Sequence, residues 1–250
     1  NYLDKCLDSI EEPFGGLAVM CSRKMYENLN KNKIRVLIDG NGADEILGGY
    51  QHHIYAFNKN YLDYSYQPVQ GLKINFPQNI LKKQYREFEK FKIQKKFDDP
   101  LKDSMYNDLV GSKLRRSLLQ QDHNSMSQSI EVRFPFLNND LLNFCYSLPN
   151  EFLINNNFGK YILRDLSNNK IFFEAKRPNQ TPQTSWLRKF IIPRLLDNLK
   201  KDNEFFDIGV FDKKNLINEL NFWVNNNVNN SVFPWYFLMS YKFIKKNFMK

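Results

Sequence analysis

The chain has 250 residues, 42% of them apolar and 15% aromatic, and a formal net charge of +9. That length sustains a core without staples, and the aromatic richness excludes a disordered chain. Three widely spaced cysteines, Cys6, Cys21 and Cys145, exclude a disulfide framework and make no zinc pattern with the histidines, so they read as buried free thiols of a reducing cytoplasm.

Taken in chain order, residues 1–32 read as two helices punctuated by Pro13, Gly15 and Gly16. "KIRVLI" (33–38) has the branched content and shortness of a fully buried strand. The stretch "DGNGADEILGGY" (39–50) follows at once, with the order strand, glycine-rich turn, helix start. Residues 51–78 carry few strand signals. Spacing predicts a helix over 79–97, where the densest lysine run, Lys82 to Lys96, is interleaved with Glu87 and Glu89 and reads as a solvated face. The basic residues elsewhere are scattered among asparagines, so a nucleic-acid partner is not expected. Leu109, Leu114 and Leu118 mark a further helix, "NNDLLNFCYSL" a capped one ending before Pro149, and "GKYILRDL" another. "WLRKFIIPRLLDNL" is an amphipathic helix carrying Pro193, and the last segment, "PWYFLMSYKFIKKNF", is amphipathic with a basic face. The apolar window from Val232 falls far short of the roughly 18 residues that span a bilayer, so no membrane contact is expected and the cytoplasm is the default.

These elements predict an α/β chain, mostly helical, with a small parallel sheet and a helical C-terminal body. Residues 1–50 form the end of the α/β region and 51–250 the helical remainder.

The turn at 39–50 carries the chemistry. Gly40 and Gly42 suit positive φ and close backbone approach to a ligand, so that successive N–H groups hold an anion. Asp44 and Glu45 fall in the first turn of the following helix, where its dipole favours carboxylates. A carboxylate beside a phosphate is repulsive unless a metal bridges them, and Asp44 offers a hard oxygen of the kind Mg²⁺ takes. The bland alternative is an acidic helix cap. Lys160 and Arg164 stand four apart on one helix face, where both can reach one anion. Glu131 and Arg133, two apart in "IEVRFPF", suit an extended segment and pair with different partners. His52 and His53 read as structural.

The turn resembles the "LSGDGADELFGGY" segment of the asparagine synthetase family, and the likeness continues in order. "EEP" (11–13) resembles the acidic-Pro segment ahead of that strand, and "DHNSMSQSIEVRFPFLNNDLLNF" the "DRNSMAHSIEVRVPFLD" block. "GKYILRDL" resembles the family's "GKYILR" helix, and "KRPNQTPQTSWLR" its lysine loop, with Lys176, Pro182 and Trp186 in place. The resemblance implies a remnant of an adenine-nucleotide alpha-hydrolase-like parallel sheet. It implies a ligase that uses ATP and Mg²⁺ to adenylate a carboxylate, aspartate in first place, for attack by ammonia from glutamine. Asp44 would then hold the metal, Lys176 would meet the charge growing on the phosphates, and Gly40, Gly42, Glu45, Lys160 and Arg164 would line the nucleotide. Glu131 and Arg133 would touch the substrate. A homodimer is left open.

Two departures matter. The family's Ser-Gly-Gly-x-Asp-Ser loop and its N-terminal glutaminase half are absent from these residues. The chain therefore reads as the C-terminal part of a synthetase domain, inactive alone and completed by a glutaminase domain in cis. Asn41 stands where many members carry an acid that acts as base toward the amine, and an amide cannot take that proton. Two alternatives follow: a catalytically incomplete remnant or regulatory module of the family, or an amidotransferase acting on a sugar or polysaccharide precursor, which the "LDGQGADE"-type turns of some relatives suggest.

Overall fold

The computed structural model describes residues 2–59, 77–86, 95–167 and 182–249. Of the lysine loop, Lys176 to Thr181 lie outside the described residues, and Pro182 to Arg188 lie within them. In chain order the elements are α1 (Tyr2–Ile10), α2 (Leu17–Lys31), β1 (Val36–Ile38), α3 (Ala43–Ile46), α4 (Gln51–Lys59), α5 (Pro100–Val110) and α6 (Ser112–Met126). Then come β2 (Glu131–Arg133), α7 (Asn139–Ser147), α8 (Asn150–Leu153), β3 (Ile154–Asn155), β4 (Phe158–Gly159) and α9 (Tyr161–Leu166). The chain ends with α10 (Gln183–Trp186), α11 (Ile192–Lys201), α12 (Asn203–Asp207), α13 (Lys213–Asn225) and α14 (Val232–Phe248). The protein is thus mostly helical with small sheets. None of the described helices is long and apolar enough to cross a membrane.

Contacts divide the chain into two compact units that interleave along the sequence. The first gathers Asn1–Lys24, Leu72–Phe91 and Gln180–Lys250, and the second Met25–Gly71 and Lys92–Asn179.

The first unit is held by apolar stripes. On α1, Leu3, Cys6, Leu7 and Ile10 are buried at helical spacing, and on α11 so are Ile192, Leu195, Leu196 and Leu199. They meet Phe205, Phe211, Leu216, Leu220, Trp223, Trp235 and Phe237 in one cluster. The two buried indoles donate to backbone carbonyls, Trp235 Nε1 to Phe14 O and Trp223 Nε1 to Asn230 O, each at 2.6 Å. Acidic caps open α12 and α13: Asp202 accepts from Phe205 N at 3.2 Å and Asp212 from Asn215 N at 2.9 Å. The amphipathic helix expected around Pro193 is interrupted. A π-helical stretch, Leu187–Ile191, precedes α11, and Pro193 falls in the first turn of α11, where its missing N–H is harmless. The helix expected over 79–97 is not formed in its described part. Residues 78–86 make two 3₁₀ turns and a bridge from Leu81 to Phe211, while 87–94 lie outside the described residues.

The second unit has a smaller apolar cluster around Ile46, Leu47, Leu101, Met105, Cys145, Leu153 and Ile154. Asp99 caps α5, accepting from Lys102 N at 2.8 Å, with Pro100 at the first helical position. Gly111 divides the single leucine-marked helix of expectation into α5 and α6. Asn138 caps α7, and Lys102 closes its other end by donating to the carbonyls of Cys145 and Leu148. Burial pushes the Lys102 ammonium below its ordinary value.

β1 pairs in parallel with β2, Val36 opposite Glu131 and Ile38 opposite Arg133. β1 departs from the fully buried strand of expectation: Val36 is 43% and Ile38 71% exposed. Their shared face is uncovered in this two-stranded ladder, and a continuous apolar run does not reveal which of its faces is covered. The thiols also differ from expectation. Cys6 and Cys145 are buried, whereas Cys21 is exposed.

Candidate functional site

The acidic turn leaves the end of β1 with Asp39, whose N–H donates to Arg133 O at 2.9 Å and so prolongs the ladder with β2. Asp39 then organises the turn. Its carboxylate accepts from Asn41 N at 2.8 Å and from Gln121 Nε2 at 3.0 Å, while Asn41 Nδ2 donates to Gln121 Oε1. Tyr26, buried on α2, adjoins this triangle. Burial raises the ionisation of its phenol, and Gln121 offsets part of that by hydrogen bonding. Asn41 is therefore held as a donor by a fixed partner. Gln121 and Tyr26 are organising residues that sequence reasoning missed; their only signal was position in the middle of otherwise ordinary helical stretches.

The glycines divide into two kinds. Gly42 takes φ +96°, and a Cβ there would collide with Leu137. Gly40 is outside the left-handed region, so the positive φ expected there is not found, and no described residue comes within 4 Å of the place of its Cβ. The turn needs one left-handed residue, and Gly42, at the N-cap of α3, supplies it. α3 itself is only four residues long, so the dipole expected to favour an anion is that of a single turn.

Asp44 and Glu45 point to different places. Asp44 stays partly exposed and pairs with Lys160 at 2.9 Å. Glu45 is 3% exposed and accepts from the Tyr50 hydroxyl at 2.6 Å. Burial and then that hydrogen bond drive the Tyr50 phenol far above its ordinary value. The structure thus places Glu45 as a buried partner of Tyr50.

Close backbone contact brings Lys160 to Asp44. Asn156 and Asn157 take left-handed φ, 50° and 61°, in the turn between β3 and β4, a pattern of adjacent asparagines that tight hairpins favour. This hairpin delivers Gly159 against the turn: a Cβ on Gly159 would overlap the Gly48 carbonyl, and one on Gly49 would overlap Asp44 itself. Lys160 N then donates to Leu47 O at 2.8 Å. Nothing in the sequence pattern signalled that the glycines of "GGY" and "FG" meet.

Lys160 and Arg164 do not act as a helix-face pair. Lys160 lies at φ 56° as the N-cap of α9, outside its helical residues. Arg164 Nε donates to Gly159 O at 2.8 Å, and its guanidinium stacks 5.3 Å from the Phe158 ring centroid. It braces the hairpin that positions Lys160. Glu131 and Arg133, expected to take different partners, pair with each other at 2.9 Å on the exposed face of β2. Two residues apart on a strand, they point to one side, which is the reason they meet.

The structure therefore brings together the end of β1, the acidic turn, β2 and the hairpin before α9. Asp44 and Lys160 form a partly exposed charge pair, and Asn41 and Asp39 a fixed hydrogen-bonded group. This arrangement offers one hard carboxylate and one cation at the carboxyl end of a parallel ladder, a place where α/β proteins bind phosphate-bearing ligands.

Comparison with curated proteins and comparison with solved structures each gave no significant match. A family model described as asparagine synthase matches residues 1–240. The match spans nearly the entire chain, so the chain belongs to the asparagine synthase family, whose synthetases form amides at the expense of ATP.

Proposed function

We propose that this chain is the C-terminal part of a synthetase domain that converts aspartate to asparagine. A carboxylate oxygen of aspartate attacks the α-phosphorus of ATP, the bond to the β-phosphate breaks, and pyrophosphate leaves. Ammonia from glutamine then attacks the acyl carbon, AMP departs, and one proton is lost. The observation that carries the reading is the Asp44–Lys160 pair, assembled at 2.9 Å from two separate blocks that both resemble the family.

In this reading Asp44 and Lys160 exchange each other for ligands: Asp44 takes Mg²⁺, and Lys160 takes a phosphate oxygen. The donor set fits the ion, because Mg²⁺ commonly keeps its waters and binds through one or two carboxylates together with substrate phosphates. Bound there, Mg²⁺ would neutralise charge on the departing pyrophosphate. Gly40, with open space beside its backbone, admits the phosphates closely, and Gly42 fixes the turn that presents them. Lys176 adds the cation that meets transition-state charge. Glu131 and Arg133 hold the two ends of the amino-acid substrate, each leaving the other to do so. Glu45 and Arg164 support the site from behind. The wider nucleotide-hydrolase-like sheet, the first pyrophosphate loop and the glutaminase are taken from outside these residues, with the α/β region ending near residue 50.

ATP–pyrophosphate exchange tests the proposal. A longer parent protein should exchange in the presence of aspartate and lose exchange with Asp44→Asn, and this chain alone should not exchange. Absence of aspartate-dependent exchange in the parent sinks the aspartate assignment, and exchange with a sugar carboxylate instead would support the polysaccharide-precursor reading. A second reading, the incomplete or regulatory remnant, is favoured by Asn41, which Gln121 and Asp39 hold as a donor. It predicts a parent that binds ATP and exchanges with no carboxylate.

A further inference from the structure

Three residues that play no part in the synthetase reading converge inside the second unit: His52 and His53 at the start of α4, and Asp108 on α5. Asp108 Oδ2 lies 2.5 Å from His52 Nε2 and 3.0 Å from His53 Nε2. Successive residues of a helix point about 100° apart, yet both imidazoles here end on the same carboxylate, their rings 4.5 Å apart edge to face. One ligand-type atom from each of the three residues falls within 4.8 Å of the others. His53 and Asp108 are fully buried, and the His52 side chain keeps 17% of its surface exposed, an edge through which an ion can enter.

The histidines account for only one oxygen of Asp108. Among the described residues its Oδ1, buried with the rest of a side chain that is 1% exposed, finds no hydrogen-bond partner. The Tyr146 hydroxyl is also buried without a hydrogen-bond partner among the described residues. Burial and then the charge of Asp108 push its ionisation up, which places it in the field of the same carboxylate. A simple hydrogen-bonded triad leaves that oxygen costly to bury.

We propose that His52, His53 and Asp108 form a binding site for one divalent transition-metal ion, zinc in first place. Two imidazole nitrogens and a carboxylate oxygen suit zinc, whereas magnesium and calcium select oxygen shells. A tetrahedral ion with bonds of about 2.0–2.2 Å would separate its ligand atoms by about 3.3 Å, so the two contacts of Asp108 with the imidazoles would open by less than an ångström, and the imidazole nitrogens, within 4.8 Å of each other, would settle to the same spacing. Water at the His52 edge completes the shell. The ion would tie α4, which begins directly after the acidic turn, to α5. It is separate from the magnesium that the synthetase reading places on Asp44.

The test uses the full 250-residue chain, stripped with chelator and titrated with zinc against a chromophoric competitor. One equivalent should bind and raise the thermal midpoint, and a large excess of magnesium should not displace it. His52→Gln, at the exposed member, should weaken binding about tenfold or more and abolish the thermal shift. Cobalt should give a visible spectrum without thiolate bands, which separates this site from the exposed Cys21. Absence of binding, or equal binding by His52→Gln, overturns the proposal. If His52→Gln does not fold, the cobalt spectrum of the unaltered chain decides, and thiolate bands or no bands overturn it.

Discussion

The first unit buries aromatic and aliphatic side chains in one large cluster, with Trp223, Trp235, Phe205 and Phe237 at its centre. The second has a smaller apolar cluster and, among the described residues, holds every buried polar or charged side chain: Glu45, His53, Lys102, Asp103, Ser104, Asp108, Gln120, Asn124 and Ser125. Buried polar groups are expensive unless each finds a partner, so they stabilise less than the apolar residues they replace. Their concentration in one unit fits a division of labour in which the first supplies stability and the second fixes the positions of charged groups.

Paired substitutions put the greatest strain on that division. Trp235→Ala should destabilise the first unit by about 3–5 kcal/mol, because a fully buried indole leaves a cavity and an orphaned carbonyl at Phe14. Denaturant unfolding measures it. Asp44→Asn should change stability by no more than about 1 kcal/mol, since its ion pair is only partly buried. In the parent protein it should lower ATP–pyrophosphate exchange by about a hundredfold or more. If Asp44→Asn unfolds the protein, the turn is structural and the division fails on its functional side.

Gly159→Ala distinguishes positioning from folding within the second unit. The added methyl would overlap the Gly48 carbonyl, so the hairpin must retreat from the turn that carries Asp44. Overpacking of this kind costs about 1–3 kcal/mol, and Lys160 should move away from Asp44, which a crystal structure or loss of exchange would register. Unchanged exchange in Gly159→Ala means that the close approach does not position the pair.

The acidic turn was legible because its residues are chemically unusual in sequence: four glycines, two aspartates and a glutamate within residues 39–50. The helices α1, α2, α7, α9 and α14 were legible from their periodicity. What sequence did not reveal was direction. Glu45 follows Asp44 in the chain, yet one turns inward to Tyr50 and the other toward Lys160. Arg164 has the right spacing from Lys160, but the left-handed N-cap conformation of Lys160 breaks the helical face that spacing assumes. Pairings between distant segments, such as Gln121 with Asp39, leave no periodic trace.

In the first unit, one polar contact can be read from both ends. The Tyr241 hydroxyl donates to Asp202 Oδ2 at 2.8 Å. Burial and that bond push the Tyr241 phenol up, whereas Asp202, despite the opposing effect of burial, is held below its ordinary value by Tyr241, Phe205 N and Lys245. A carboxyl lowered by folding contributes stability that is complete above about pH 4 and lost as pH falls through its folded value. A phenol raised by folding contributes stability complete below about pH 10 and lost as pH rises through its folded value. Tyr241→Phe should therefore cost about 1 kcal/mol at neutral pH and flatten both the acid and the alkaline arms of a urea-midpoint profile. If only neutral stability changes, the hydroxyl acts through packing.

The smallest expected effect sharpens the comparison most, because it separates space kept for a ligand from space needed by the fold. Gly42 and Gly40 stand two residues apart in the same turn. A methyl on Gly42 meets Leu137 and a left-handed backbone, so Gly42→Ala should destabilise by about 1–3 kcal/mol. A methyl on Gly40 meets no described residue within 4 Å, and its φ is not left-handed, so Gly40→Ala should change stability by no more than about 0.5 kcal/mol. The fold therefore gives no account of glycine at position 40. If phosphates approach that backbone, Gly40→Ala will leave the unfolding curve in place while weakening ATP binding in the parent protein, measured by calorimetry. Unchanged ATP affinity would mean that the open space beside Gly40 faces only solvent, and the nucleotide would have to be held from the Asp44 and Lys160 side alone.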